Sequence, residues 1–125
     1  MKVVIFGSRS IYDYNEVKAC LDEYHKSYPI TEVVCGGAKG PDTFGEIWAK
    51  LNGIPYTKFI PEWARLGAGA GITRNIQMAD YAHRGIGFWD TSSNGTRHMI
   101  DALEAREKPC TIWRLVPPKK FGTSK

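Results

Sequence analysis

The sequence predicts one α/β domain built around a parallel β-sheet. Three observations lead to this fold class: short β-rich apolar runs recur along the chain, segments with helical apolar spacing separate them, and glycine-rich loops follow several of the runs. A chain of 125 residues can enclose one proper core, and 42% apolar with 24% charged residues is an ordinary globular composition. We therefore expect a folded domain rather than a disordered chain.

The first half of the chain alternates between strands and helices. Residues 3–6 form a short apolar run closed by a glycine, which is typical of a strand buried on both faces. Between residues 15 and 29, apolar side chains recur at the spacing of one helical face, and a proline closes the segment. Residues 32–35 predict a second strand, and the pattern over 44–51 predicts a second helix.

The same alternation continues through the second half of the chain. The predicted elements are, in order, a strand at 56–60, a long loop to about Gly71, a helix that carries Ile76, Ala79 and Ala82, a strand at 85–90, a helix after the polar turn 91–96, and a strand at 110–113. The chain thus supplies five strands, each followed by a connection long enough to cross over the sheet.

Right-handed crossovers between parallel strands predict a strand order of 3-2-1-4-5, with helices on both faces of the sheet. This is a single Rossmann-like three-layer domain, which we assign to residues 1–115. Residues 116–125 are rich in Pro, Lys, Gly and Ser and lack periodicity, so they predict a basic, flexible tail, with a weak electrostatic arm as the alternative.

Composition narrows the classes of function. Three of the four net positive charges are lysines of the tail, so charge alone does not indicate a nucleic-acid groove on the domain. We find no membrane-spanning run and no signal peptide, and we expect a cytoplasmic protein. The three cysteines are far apart, which predicts reduced thiols, and the histidines lack metal-ligand spacing, so no metal is predicted.

A ligand of such a sheet is expected beyond the carboxyl ends of the strands, between the first and fourth strands, where the strand order reverses. The first loop at this point contains Gly7, Ser8 and Arg9. The glycine permits a tight turn, the serine offers a hydroxyl, and the arginine can hold a phosphate with a planar fork of donors. The alternative is a turn glycine beside a solvated arginine.

The second loop, residues 36–42, contains Gly36, Gly37, Lys39 and Gly40, and it leads into a helix. Exposed backbone N–H groups and the helix N-terminus predict a cradle for an anion. Asp42 has two interpretations: it complements the helix dipole, which is the structural interpretation that we favour, or it binds ribose hydroxyls. The loop lacks the GxxxxGK[ST] pattern, so an ordinary ATPase site is excluded.

The third loop follows the fourth strand and contains Asp90, Ser93, Gly95 and Thr96. Its small hydroxyl residues predict a second phosphate cradle, before a helix that we expect Thr96 to cap. Trp89, at the strand end, either stacks on a base or belongs to the core.

Three further residues are candidates for the same edge of the sheet. We expect Arg74 and Asn75 to open the third helix and to close over a ligand, with surface pairing as the alternative. If the protein is a hydrolase, it needs a carboxylate; Asp90 is the preferred candidate, and Glu46 is a weaker one that is more typical of a solvated helix position.

Four motifs stand in order along the chain: Gly7-Ser8-Arg9, the loop 36–42 with Trp48-Ala49, Arg74-Asn75 with Met78, and Trp89-Asp90 with Gly95-Thr96. Together they resemble the YspA-type branch of the SLOG superfamily over about residues 1–115. That superfamily includes the lonely-guy phosphoribohydrolases, the DNA-processing protein A family and sensor domains proposed to bind NAD-derived or ADP-ribose-like nucleotides.

The resemblance implies a small-molecule nucleotide site, with a phosphorylated nucleotide such as ADP-ribose or an NAD derivative as the ligand and no separate cofactor. It also implies a possible homodimer. Two alternatives stay open: an N-glycosidic hydrolase that releases a base, and a single-stranded DNA-binding protein of the DNA-processing type. The lonely-guy motif PGGxGTxxE places its catalytic glutamate where this chain has Met99, so the resemblance does not carry that hydrolysis over.

Overall fold

Strands and helices alternate along residues 1–114, which are the residues that the computed structural model describes. The elements are β1 (Lys2–Gly7), α1 (Tyr14–Ser27), β2 (Glu32–Cys35), α2 (Pro41–Leu51), β3 (Tyr56–Lys58), α3 (Trp63–Leu66), a 3₁₀ turn (Gly67–Gly69), α4 (Ala70–Tyr81), β4 (Arg84–Trp89), α5 (Asn94–Ala105) and β5 (Cys110–Arg114). The predicted domain boundary at residue 115 and the predicted tail 116–125 lie outside the described residues.

The five strands form one parallel sheet in the order β3-β2-β1-β4-β5, which confirms the predicted topology. β1 lies at the centre, where Val3 pairs with Val33 of β2 and Ile5 pairs with Ile86 of β4. Alternate side chains of β1 point to opposite faces, so the sheet separates two apolar cores. Helices α1 and α2 cover one face, and α4 and α5 cover the other.

The region between β3 and β4 differs from the prediction. β3 ends at Lys58 rather than at residue 60, and the expected loop contains α3 and the 3₁₀ turn. α4 begins at Ala70, so Arg74 and Asn75 lie in its second turn and do not open the helix. The physical reason is that Gly69 takes helical backbone angles and Ala70 is buried, so the small residues continue the helix instead of breaking it.

The structure also shows that the predicted cap of α5 is wrong. Ser93, not Thr96, caps the helix: its backbone is extended, and its side chain accepts a hydrogen bond from the Thr96 N–H at 3.3 Å. Thr96 is the third residue of the helix, and its side chain is buried.

The cysteines of the described residues are free, as the sequence predicts. Burial raises the pKa of Cys35 to about 12 and that of Cys110 to about 11, so neither thiol is activated. Among the helices of residues 1–114, none combines the length and the apolar character that crossing a bilayer requires.

Candidate functional site

A cavity of about 380 Å³ opens at the carboxyl edge of the sheet, where the loops after β1, β2 and β4 meet. Its lining includes nine of the residues that the sequence singled out: Gly7, Arg9, Asp42, Arg74, Asn75, Asp90, Ser93, Gly95 and Thr96. We call this the central cavity. The four predicted motifs therefore converge on one place in the fold.

Buried polar side chains are concentrated at this edge. Within residues 1–114, the buried polar or charged residues are Ser8, Asp42, Asn75 and Thr96. Three of them line the central cavity, and Ser8 contacts its lining. Since a buried polar group costs free energy unless it has a hydrogen-bond partner, this arrangement requires an organised network around the cavity.

Hydroxyl groups join the loop after β1 to the loop after β4. The Ser8 Oγ accepts a hydrogen bond from the Asp90 N–H at 3.1 Å and lies 3.4 Å from the Thr96 Oγ1. Thr96 in turn donates to the Ser93 Oγ at 3.1 Å. The buried Ser8 therefore positions the α5 N-terminus against β1.

Asp90 organises the loop that contains it. Its carboxylate accepts hydrogen bonds from the Ser10 hydroxyl at 2.6 Å and from the N–H groups of Ser92 and Ser93 at 2.8 and 2.9 Å. Burial alone raises the pKa of Asp90, but these hydrogen bonds outweigh it and hold the pKa well below its usual range. Asp90 is thus ionised at neutral pH and is poorly suited to act as a general acid.

Asp42 holds the loops after β1 and β2 together. Its carboxylate is buried and accepts hydrogen bonds from the N–H groups of Gly7, Gly36 and Ala38. Burial raises its pKa to about 6, although the nearby Arg74 guanidinium and those three hydrogen bonds act in the opposite direction. These contacts favour the structural interpretation of Asp42.

Because Gly36 has no side chain, the Arg74 guanidinium and the Asp42 carboxylate have room to lie close to it. The Arg74 Nη1 donates to the Gly36 carbonyl at 2.7 Å. A Cβ atom at this position would lie 2.9 Å from the Asp42 Oδ2 and would collide with the Arg74 guanidinium. A side chain at residue 36 would therefore push the arginine and the carboxylate apart.

Asn75 connects α4 to the start of α5. Its Nδ2 donates to the Gly95 carbonyl at 3.4 Å and lies 3.2 Å from the His98 Nδ1. Its Oδ1 accepts a hydrogen bond from the Arg74 Nε at 3.2 Å. Asn75 therefore fixes both the arginine and the α5 N-terminus at the cavity.

Two predicted candidates lie away from the central cavity. The Trp89 indole donates to the Ser93 carbonyl at 3.2 Å and packs against the apolar core beside α5, so its position favours a structural role over base stacking. The Glu46 carboxylate forms ion pairs with Lys58 at 3.0 Å and Lys50 at 3.2 Å. Neither residue lines the cavity, which weakens the case for each as a ligand or catalytic group.

The residues of the predicted anion loop, 36–42, do not all line the central cavity. Gly40, with φ of 84°, is the N-cap of α2, turns the chain into that helix and lines neither cavity. Gly37 and Lys39 instead line a second cavity of about 360 Å³, which adjoins the central one. The two cavities share Arg9, Ala38 and Arg74, so only part of the predicted cradle faces the central site.

Sequence reasoning included Ser10 and Ala38 only as parts of the predicted loops, and it missed Phe6 and Met99 in the central cavity and Ile60, Pro61 and Trp63 in the second. The available signal for Trp63 was a large apolar side chain in the predicted loop, whereas Ile60 was expected to end the third strand. Ile60 is 61% exposed and Trp63 is 58% exposed. Single exposed apolar residues are common, so this signal alone did not distinguish them.

The fold and this cavity define a Rossmann-like α/β protein with a polar cavity at the carboxyl edge of its sheet. The family model described as "YspA, cpYpsA-related SLOG family" matches residues 1–66. The "Gene 61 protein" of Mycobacterium phage D29 is 36% identical in an alignment 109 residues long, and the alignment covers 79% of this chain and 85% of that protein. The chain belongs to the YspA, cpYpsA-related SLOG family, and membership indicates nucleotide-related binding or processing.

Proposed function

We propose that the protein binds a phosphorylated nucleotide, such as ADP-ribose or another NAD derivative, in the central cavity. The observation that carries this proposal is the concentration of buried polar residues around one cavity at the carboxyl edge of the sheet. Ligands of open parallel sheets bind at this edge. Binding would make the protein a nucleotide sensor or carrier.

The positive groups around the cavity suit an anionic ligand. Within residues 1–114, the exposed Arg9 has no carboxylate partner in an ion pair. Arg74 adds a second guanidinium from α4. The N-terminus of the 12-residue helix α5 points its partial positive charge at the same space. These groups can donate hydrogen bonds to a phosphate, beside the Asp42 and Asp90 carboxylates that line the same cavity.

Gly95 leaves the α5 N-terminus open. A Cβ atom at Gly95 would meet no atom of the described residues within 4 Å, and the residue lines the central cavity. Gly95 is exposed, so its backbone is accessible to a ligand, as close phosphate binding requires.

Base hydrolysis is the second candidate function, and one observation favours it. Asp42 and Asp90 line the same cavity, but the pKa of Asp42 is raised to about 6 and that of Asp90 is lowered. Carboxyl groups with separated pKa values are the usual pair for acid–base chemistry. Against it, both carboxylates already accept hydrogen bonds from their own loops. This occupancy favours binding without hydrolysis.

Gly95→Ala tests the central cavity as the phosphate site. The added methyl group enters open space, so we expect folding to be unchanged, since alanine is favoured over glycine in a helix. A methyl group at the α5 N-terminus would crowd a phosphate bound to its N–H groups, so we expect affinity for ADP-ribose or AMP to fall at least about tenfold. Titration calorimetry of both variants measures this, with chromatography to detect released base.

Gly69→Ala is the matched control. Its added Cβ also meets no described atom within 4 Å, but residue 69 lines neither cavity. We expect the control to bind like the unmodified protein. Equal affinity of Gly95→Ala and the unmodified protein contradicts the site, and released base makes the protein a hydrolase. Binding only to short single-stranded DNA, weakened by salt, supports the nucleic-acid alternative.

A further inference from the structure

The second cavity adjoins the central cavity across a shared wall of Arg9, Ala38 and Arg74. The two cavities therefore lie side by side at the carboxyl edge, so one extended ligand could place a different part in each. Both guanidinium groups lie at the boundary, where the negative charge of a ligand spanning the two spaces would be neutralised.

The two cavities differ in chemistry. The central cavity is lined by two carboxylates, hydroxyl groups and a helix N-terminus. The second cavity adds the side chains of Ile60, Pro61 and Trp63 to a rim that contains Lys39. An apolar, aromatic wall beside a cationic boundary suits a flat ring that is joined to a phosphate.

Trp63 is well placed to supply that wall. Its ring packs toward the start of α4, since a Cβ atom at Gly71 would lie 3.8 Å from the ring. The residue nevertheless remains 58% exposed. Trp48, by contrast, is fully buried, and its indole N–H donates to the Asp22 carboxylate at 2.8 Å. Trp63 thus has an accessible ring, which Trp48 does not.

We propose that the second cavity holds the base of the bound nucleotide, stacked on Trp63, while the sugar phosphate occupies the central cavity. This inference rests on the proposed function and assigns the base to Trp63 rather than to Trp89. We assign the base of the same ligand to this cavity because it adjoins the anion site and is lined by the same two arginines. Stacking is tolerant of base identity, because every base has a π-face.

A matched pair of ligands tests the inference. AMP and ribose 5-phosphate share the sugar phosphate and differ by the base, and ADP-ribose serves as a second base-carrying probe. Trp63→Leu keeps an apolar side chain but removes the ring, whereas Trp63→Phe keeps a ring. Since Trp63 is exposed, we expect both variants to fold normally, which thermal unfolding checks.

We expect Trp63→Leu to weaken AMP and ADP-ribose binding about tenfold, because a stacked base loses its aromatic partner. Ribose 5-phosphate should bind the variant and the unmodified protein equally. Trp63→Phe should restore most of the AMP affinity.

Unchanged AMP and ADP-ribose affinity in Trp63→Leu overturns the base assignment, and an equal loss for ribose 5-phosphate overturns it as well. In either case a loss of binding in Gly95→Ala still supports the central site. If the unmodified protein binds none of the three ligands, the proposed function and this inference both fall.

Discussion

The two edges of the sheet organise polar groups in opposite ways. At the amino edge, the Glu32 carboxylate accepts hydrogen bonds from the Tyr81 hydroxyl at 2.6 Å and the Thr57 hydroxyl at 2.7 Å. These two bonds, Tyr81 first, lower the pKa of Glu32 against the effect of burial. The Lys2 ammonium lies 4.0 Å from the centre of the Tyr81 ring. At this edge, both the Glu32 carboxylate and the Lys2 ammonium contact other groups of the protein.

At the carboxyl edge, the carboxylates also have hydrogen-bond partners, but two of the cations have no carboxylate partner within the part of the chain that the structure describes. Asp42 and Asp90 accept hydrogen bonds from the loops that they join. Arg9 and Lys39 have no ion-pair partner among residues 1–114. The comparison teaches that one edge is a closed structural network, whereas the other combines a cavity with positive charge available to an anion.

Removal of the available charge should produce the largest effect. Arg9→Ala deletes a guanidinium that lines both cavities and has no ion-pair partner in the described structure. We expect nucleotide affinity to fall about 10- to 100-fold, which is about 1.4 to 2.8 kcal/mol, because a charge-assisted contact to phosphate is lost. Calorimetric titration with ADP-ribose measures the change, and thermal unfolding should remain the same.

Lys26→Ala is the control for net charge, since it removes one positive charge from an exposed position in the last turn of α1. Affinity should be nearly unchanged in this variant. If the two substitutions weaken binding equally, general electrostatic attraction explains the effect. The unpaired charge at the carboxyl edge would then not be a specific binding group.

Titration of the buried Asp42 carboxylate should give a smaller effect, which is a pH dependence of the free energy of unfolding. The pKa of Asp42 in the folded protein, about 6, lies above the ordinary value, so the folded state binds this proton more tightly than the unfolded state does. Its stabilising contribution is therefore present at low pH and is lost as the pH rises through about 6. Acidification from pH 7.5 to 5 should raise the free energy of unfolding by about 1 kcal/mol, as urea titrations can measure.

Asp42→Asn removes the titrating group and should abolish this rise. Asp90 does not titrate in this window because its pKa is lowered; its contribution is lost only as the pH falls below the ordinary aspartate range. A rise of the same size in Asp42→Asn would assign the pH dependence to other groups and contradict the role given to Asp42.

The fold could be predicted almost completely because its signals are local and repeated. Buried parallel strands appear as short apolar runs, and the connections between them leave few topologies, so the order β3-β2-β1-β4-β5 followed from the sequence. The convergence of Ser8, Asp42 and Thr96 also followed, because parallel strands end at the same edge.

The start of α4 and the positions of the tryptophans could not be read from the sequence. Glycines between alanines suggested a loop that runs to Gly71, but α4 begins at the buried Ala70, so Gly71 already lies within the helix. Trp89 is the last residue of β4, and the sequence left base stacking and a core position open; in the structure, its indole turns back to the Ser93 carbonyl. Side-chain direction at a strand end depends on tertiary contacts, which a pattern of residue types does not contain.

Amide chemical shifts during a titration with ADP-ribose test the central claim most directly. In ¹H–¹⁵N spectra, we expect the largest changes at the amides of Ala38, Gly95 and Thr96, which lie at the central cavity. The amides of Lys2 and Glu32, at the amino edge, should not move. Changes centred on the amino edge, or no saturable change at all, would contradict the assignment of the carboxyl edge as a nucleotide site.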